Sequence, residues 1–261
     1  MTGGARTGAQ HELELIERQP ARDEGRTPIL FVHGLGHGAW CWEDWLEGTA
    51  EAGHPAYAVS LRGHAGSKGR LRTSLLGHYV DDVVRTAVSL GRPAVLVGHS
   101  MGGLVVQRAL ARYAAPAAVL VSPVPAHPAV GALMKIARQH PTDALRILAG
   151  GSLPLRPEYL FRELPAHEAE RHSDRCHGES ALVQYQLILH APSRRPLGRP
   201  PVLVLATPDD GLVPVRGIRS TAARYGADVR EFPGMGHDLM LDARWREPLD
   251  AMLGWLRTNG L

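Results

Sequence analysis

Short apolar runs alternate with amphipathic stretches along most of the chain. The apolar runs predict strands at 28–32, 56–61, 94–98, 117–122, 201–206 and 228–232, and a weaker alternation predicts an edge strand at 11–18. Apolar residues at helical spacing predict helices at 40–52, 75–90, 103–113, 215–225 and 244–257. Strands that alternate with helices are typical of a parallel sheet with helices on both faces, so an α/β protein is predicted.

The interval 126–200 interrupts this alternation. It contains no convincing strand run, and helix-compatible patches occur at 130–139, 142–148 and 181–190. A structureless segment of this length is implausible inside a compact domain. Because open α/β sheets bind ligands beyond the carboxyl ends of their strands, we expect a helical cap inserted over that edge. The core domain then comprises 11–125 and 201–261, and residues 1–10 form a flexible N-terminal tail.

Composition narrows the class of protein. The 261 residues are 44% hydrophobic and 21% charged, as in a globular domain with a full core. The net charge is only +3, basic residues are scattered and aromatic residues make up 5%, so nucleic-acid binding is not expected. No apolar run approaches the length of a membrane span. The N-terminus lacks a secretory signal and Cys41 and Cys176 are interpreted as free thiols, so a cytoplasmic location is expected.

The pentapeptide Gly98-His99-Ser100-Met101-Gly102 lies between a predicted strand and a predicted helix. A strand that turns so abruptly into a helix forces the serine backbone into a strained region. Gly98 and Gly102 lack Cβ atoms, which lets the strand and the helix approach each other closely. The Ser100 hydroxyl then projects from the sheet edge beside a helix N-terminus, whose free N–H groups can hold an anion. Ser100 is therefore a candidate nucleophile.

Two later strand ends carry groups that could activate Ser100. A serine hydroxyl is a weak nucleophile without a base, and the base needs a third group to orient it. Asp209 and Asp210 follow the next-to-last predicted strand, and His237 follows the last one. The carboxyl ends of parallel strands meet at one edge of a sheet, so these side chains are expected near Ser100.

Five motifs resemble those of a known superfamily. They are Val32-His33-Gly34, Leu61-Arg62-Gly63-His64, Gly98-His99-Ser100-Met101-Gly102-Gly103, Asp210-Gly211-Leu212-Val213-Pro214 and Gly236-His237. On these motifs, and on the order Ser, Asp, His, the chain resembles α/β-hydrolases from Ile29 to Leu256. Within that superfamily, residues 33–42 are similar to small esterases and lysophospholipase-like hydrolases, and also to plant methyl-ester esterases and hydroxynitrile lyases.

The resemblance implies an α/β-hydrolase fold and a role for each site residue. Ser100 would be the nucleophile and His237 the general base and then the general acid. Asp210 would be the orienting carboxylate, since the family's acid precedes an x-x-Val-Pro sequence. The backbone N–H groups of Leu35 and Met101 would form the oxyanion hole. No metal ion and no organic cofactor is implied.

Other candidates are assigned by their position. Trp40 and His99 lie near the oxyanion loop and the nucleophile in sequence, so they are possible walls of the substrate pocket. His33 is expected to support its loop by hydrogen bonding, and Asp238 is expected to be solvated. Ser60 replaces an aspartate that many members of the superfamily carry. No metal site is expected from three histidines, because a spacing of five does not place them on one helical face: His167, His172 and His177.

We therefore expect a serine hydrolase that cleaves a carboxylic ester of a small, fairly apolar molecule through an acyl-enzyme. The same triad could instead serve a thioesterase, a cofactor-free haloperoxidase or perhydrolase, or a C–C hydrolase or lyase. A ligand-binding receptor that retains the hydrolase pocket is a third hypothesis, because a fold does not fix a function. The sequence leaves the natural substrate and the oligomeric state open.

Overall fold

A computed structural model describes residues 12–22 and 24–261 of the chain. Its strands are β1 Leu15–Arg18, β2 Ile29–Val32, β3 Ala56–Val59, β4 Val95–His99, β5 Ala118–Val121, β6 Val202–Ala206 and β7 Asp228–Glu231. They form one seven-stranded sheet in the order β1-β3-β2-β4-β5-β6-β7. β1 is antiparallel to β3, and every other neighbouring pair is parallel. The predicted tail 1–10, and His11 of the predicted edge strand, lie outside the described residues.

The helices of the described segments lie between and after these strands. They are α1 Glu43–Glu51, α2 Leu76–Ser89, α3 Ser100–Ala109, α4 Val130–Gln139, α5 Pro141–Leu148, α6 Pro157–Leu160, α7 Ala166–Arg175, α8 Ala181–Leu189, α9 Val215–Tyr225 and α10 Arg246–Thr258, with short 3-10 turns at Ala39–Trp42 and Leu71–Thr73. The prediction of a mostly parallel sheet covered by helices is confirmed. None of the helices in these segments is long and apolar enough to cross a membrane. Cys41 and Cys176 are both free thiols.

The central strands hold the core of the sheet. Every residue of β2, β4, β5 and β6 is buried, whereas β1 and β7 consist of exposed and half-buried residues. A strand covered on both faces is a continuous apolar run, and a strand at an edge is not. This difference explains why the central strands are the most apolar segments of the sequence.

Helix starts and the polar helix α7 differ from the sequence-based expectations. α3 begins at Ser100 rather than at residue 103, because the nucleophile candidate itself is its first residue. The segment predicted as one helix at 40–52 is a 3-10 turn followed by α1. α7 was not predicted, because Ala169 is its only buried residue and the segment therefore lacks an apolar stripe.

Five helices, α4 to α8, lie between β5 and β6. β5 and β6 are parallel neighbours, with Ala118 opposite Val202. The chain therefore leaves the sheet at the carboxyl end of β5 and returns to the amino end of β6. The helices of this connection lie where the sequence interrupts its strand and helix alternation.

Candidate active site

A cavity lies at the carboxyl edge of the sheet. Its volume, including the open space at its mouth, is about 700 Å³. Loops that follow five different strands contribute to its lining. These contributions are Leu35 after β2, Ser100 after β4, Val124 after β5, Leu212 and Val213 after β6, and His237 after β7. The sheet topology thus brings Ser100 and His237 to one cavity although they are distant in sequence.

Ser100 occupies a strained turn between β4 and α3. Its φ of +49° lies in the left-handed region, which a residue with a Cβ rarely adopts. A Cβ at Gly98 would lie 2.4 Å from the carbonyl oxygen of Gly102, and a Cβ at Gly102 would lie 2.4 Å from the carbonyl oxygen of Val32. Both glycines are therefore required by close backbone approach, and the turn exposes the serine side chain to the cavity.

The imidazole of His237 is held by a buried carboxylate. His237 Nδ1 donates to Asp210 Oδ2 at 2.7 Å, and Asp210 Oδ1 accepts from the amides of Leu212 and Val213, each at 2.7 Å. Asp209 is exposed and binds the amide of Gly234 instead. The structure therefore brings Asp210, rather than Asp209, to the base candidate.

This pairing sets the protonation state of His237. Burial disfavours the charged imidazole, but the carboxylates of Asp210 and Asp238 together outweigh burial and raise the pKa of His237. Because Nδ1 carries the proton shared with Asp210, neutral His237 has its lone pair at Nε2. The Ser100 hydroxyl forms no hydrogen bond within the described residues, and catalytic hydrogen bonds often form only when substrate is bound.

Two backbone amides near Ser100 are available to an oxyanion. Met101 is the second residue of α3, and amides in the first turn of a helix have no intrahelical acceptor. The Leu35 amide has no acceptor among residues 12–22 and 24–261. A Cβ at Gly34 would lie 3.2 Å from the Cβ of Ser100, so the loop that carries Leu35 packs directly against the nucleophile candidate.

His33 supports this loop, as its sequence position led us to expect. Its Nε2 accepts from the Leu61 amide at 2.9 Å, and its Nδ1 donates to the Gly34 carbonyl at 2.7 Å. One donor partner and one acceptor partner define a neutral ring. Burial and the neighbouring His64 lower the pKa of His33 well below its usual value, which agrees with that form.

The cavity wall is almost entirely aliphatic. Its apolar members are Leu35, Val124, Ala129, Ala132, Leu133, Ile136, Ile147, Leu153, Leu155, Leu160, Leu187, Ile188, Leu212 and Val213, and most of them come from the α4–α8 connection. Gln184 is the amide side chain in the lining, and it already accepts from the Leu153 amide and donates to the Gly151 carbonyl. Among the described residues, the other polar side chains of the lining are Ser100, His237, His37 and His99.

The structure distinguishes between the two candidates for the pocket wall. Trp40 does not line the cavity, because its ring stacks on His37 at 5.5 Å and lies under the Arg175 guanidinium at 4.2 Å. His99 does line it as a buried wall residue, and burial lowers the pKa of His99 to about 3.

Asp238 is wholly buried rather than solvated, so that expectation was wrong. Its Oδ2 accepts from His37 Nε2 at 2.9 Å. Sequence reasoning missed this pair because 201 residues separate its members. The presence of His37 in the stretch 33–42, beside the expected oxyanion loop, was the one signal available.

His99, His237 and Asp238 have side-chain ligand atoms within 4.8 Å of one another, the spacing that a metal ion would need. Two of these side chains also form hydrogen bonds to other residues. His237 Nδ1 is bonded to Asp210, and Asp238 Oδ2 is bonded to His37. The trio is therefore part of the hydrogen-bond network around the base candidate.

The chain matches a family model and several known proteins. Residues 29–251 match the model of the alpha/beta hydrolase family. Over 117 residues the chain is 35% identical to the probable esterase PIR7A of Oryza sativa, an alignment that spans 44% of each chain and so less than half of that relative. It is 26% identical over 251 residues, 88% of each chain, to a monoacylglycerol lipase of Mycolicibacterium smegmatis. The crystal structure of Paleococcus ferrophilus monoacylglycerol lipase has a TM-score of 0.73 at 24% identity, covering 95% of this chain and 99% of that one.

Proposed function

Because the chain belongs to the alpha/beta hydrolase family, we propose that it hydrolyses a carboxylic ester with Ser100, His237 and Asp210 as its catalytic triad. One observation supports the proposal most strongly. The strained Ser100 lines the same cavity as His237. The Nδ1 atom of His237 is hydrogen-bonded to Asp210 Oδ2 at 2.7 Å. The esterase and lipase names of the relatives support the same reaction class.

The chemistry follows from the positions of these atoms. His237 Nε2 takes the Ser100 proton while Oγ attacks the ester carbonyl carbon, and the amides of Leu35 and Met101 donate to the oxyanion. Collapse of the tetrahedral intermediate breaks the ester C–O bond, and His237 returns the proton to the departing alcohol. Water then attacks the acyl-enzyme by the same route and releases the acid. Losing one oxyanion donor costs about a hundred- to a thousandfold in rate in such enzymes.

The cavity lining indicates the kind of ester. An aliphatic wall stabilises a hydrocarbon chain by roughly 0.8 kcal/mol per buried methylene. Among the described residues, the cavity lining contains no acidic, lysine or arginine side chain, which disfavours a charged acyl group. The substrate we propose is therefore an ester of an uncharged, aliphatic acid.

We further propose that residues 126–200 act as a cap on a core formed by 11–125 and 201–261. The α4–α8 connection supplies most of the aliphatic lining, and it lies over the carboxyl edge where the triad candidates meet. Exclusion of bulk water by such a cover strengthens the electrostatic interactions inside the site.

Covalent labelling tests the proposal most directly. A fluorophosphonate should modify the wild type at Ser100, leave Ser100→Ala unmodified and modify the control Ser89→Ala, whose substitution lies on the exposed side of α2. The wild type and the control should also turn over p-nitrophenyl alkanoates. Failure of the wild type to react with the probe would overturn the proposal, and labelling without turnover would favour a ligand-binding protein.

A further inference from the structure

A second Asp–His pair lies behind the candidate oxyanion loop. Asp238 follows the proposed base in sequence, its side chain is wholly buried, and its Oδ2 lies 2.9 Å from His37 Nε2. The other ring nitrogen of His37 lies 2.9 Å from the carbonyl oxygen of Leu35. One imidazole thus bridges the loop after β7 and the loop after β2.

The partners of His37 define its protonation state by geometry alone. The carboxylate of Asp238 and the carbonyl of Leu35 are both acceptors, so both ring nitrogens of His37 must carry a hydrogen. The ring is then an imidazolium. His33, four residues earlier, contrasts with it, since one partner of that ring is a donor and the ring is neutral.

Electrostatics agree with a buried ion pair. Burial opposes the charge on His37, but the Asp238 carboxylate and the Cys176 thiol outweigh it and raise the pKa of His37 well above its usual value. Burial alone would raise the pKa of Asp238, and the opposing charge of His37 instead lowers it to about 2. Two charges taken out of water persist only where each satisfies the other.

Two other side chains lie close to the His37 ring, but it is Asp238 that balances the charge of this ring. Cys176 Sγ lies 3.6 Å from Nε2, and His99 lies edge-on with ring centroids 5.9 Å apart. His99 is neutral at physiological pH because burial lowers its pKa to about 3. More remote rings that feel the charge of His37 are His33, His177 and His237.

We propose that His37 and Asp238 are positioning residues, which as an ion pair hold the Leu35 segment of the oxyanion hole in alignment with His237. The inference rests on the proposed function, because it assigns the Leu35 amide to the oxyanion. The hydrogen bond from His37 Nδ1 holds the Leu35–Gly36 peptide, which directly follows the peptide that carries the Leu35 N–H, and Asp238 fixes His37 from the residue next to the base. Loss of the His37 proton would leave Asp238 an uncompensated buried charge and would release the Leu35 carbonyl.

Steady-state kinetics of His37→Gln and Asp238→Asn test this role. We expect kcat for a p-nitrophenyl ester to fall by about ten- to a hundredfold, less than the loss of an oxyanion donor outright, with KM nearly unchanged. The wild type should lose activity at alkaline pH as His37 deprotonates, and His37→Gln should lack that limb. The control His127→Gln, at an exposed histidine, should match the wild type in both readouts.

A second measurement needs no variant and covers the case in which His37→Gln fails to fold. Side-chain ¹⁵N NMR of the wild type should show both nitrogens of His37 protonated at pH 7. A neutral His37, or variants that keep the wild-type kcat and alkaline limb, would overturn the positioning role while leaving the triad intact. A wild type that neither reacts with fluorophosphonate nor turns over esters would instead contradict the proposed function, and the NMR result would still report on the ion pair.

Discussion

Glu179, in the connection between α7 and α8, is hydrogen-bonded to His64 in the loop after β3, with 3.0 Å between Oε2 and Nε2. The other carboxylate oxygen accepts from the Tyr79 hydroxyl and from the Ser180 amide, each at 2.7 Å. Only 6% of Glu179 is exposed. A buried carboxylate from the α4–α8 connection therefore binds the core, and this connection is anchored at a defined point.

We expect Glu179→Ala to destabilise the protein, because His64 and the Tyr79 hydroxyl lose their acceptor inside the structure. A buried donor left without a partner costs about 1–3 kcal/mol. Urea unfolding measures this loss. Glu170→Gln, an exposed change on α7, is the matched control and should unfold as the wild type does. Equal stability of Glu179→Ala and the control would contradict the anchoring role.

The backbone strain at Ser100 predicts an opposition between stability and activity. Ser100→Gly and Ser100→Ala should both be inactive, but Ser100→Gly should be the more stable by roughly 1–2 kcal/mol, because glycine adopts a φ of +49° without a Cβ clash. Ala137→Gly on the exposed side of α4, where φ is helical, should instead lose about 1 kcal/mol. Denaturant unfolding of the three variants checks the sign of each change.

Close packing at Gly102 predicts that a single added methyl group lowers both the stability and the activity of the protein. Gly102→Ala would place a Cβ 2.4 Å from the carbonyl oxygens of Val32 and His33, so α3 must move away from β2. We expect a loss of about 1–3 kcal/mol in stability together with a loss of esterase activity. Gly77→Ala in α2 meets no atom within 4 Å and should gain about 0.4–1 kcal/mol, which makes it the paired control in thermal unfolding.

The charge state of His237 predicts the acid side of the pH–rate profile. The base must be neutral, and Asp210 raises the pKa of His237, so kcat/KM should fall with a midpoint above pH 6.5 as pH decreases. Protonated His237 correspondingly stabilises the fold below pH 6.5, and that contribution disappears as pH rises through the raised pKa. In Asp210→Asn the midpoint should move down and kcat should drop by about 10⁴-fold. An unchanged midpoint in that variant would argue against the pairing.

The aliphatic wall predicts selection by acyl-chain length. While the chain still fits, kcat/KM should rise about fourfold per methylene, which corresponds to roughly 0.8 kcal/mol per buried group. Ala132→Leu narrows the cavity from α4 and should move the optimum to shorter esters. Met134→Leu lies on the same helix, but Met134 is 46% exposed and does not line the cavity, so its optimum should not move.

The local sequence pattern was sufficient to predict those elements whose conformation depends mainly on residues that are close together in the chain. β4 and β6 are buried on both faces, so each of them appears in the sequence as a run of consecutive apolar residues. The turn at Ser100 could also be predicted. The close approach of strand and helix requires glycine, and Gly98 and Gly102 lie two residues before and after the serine. α7 could not be predicted, because its segment is polar throughout and only Ala169 of its ten residues is buried, so no apolar stripe marks it as a helix.

By itself, the sequence determined the class of sheet, the cavity edge and the candidates Ser100, Asp210 and His237, because each of these follows from a strand and the residues just after it. Only the tertiary structure decided that Trp40 stacks on His37 without lining the cavity, and that Asp238 is buried against His37. The pair of Asp238 and His37 joins segments far apart in the chain. Its energy depends on burial and on a distance of about 3 Å, which exist only once the sheet has brought its loops together.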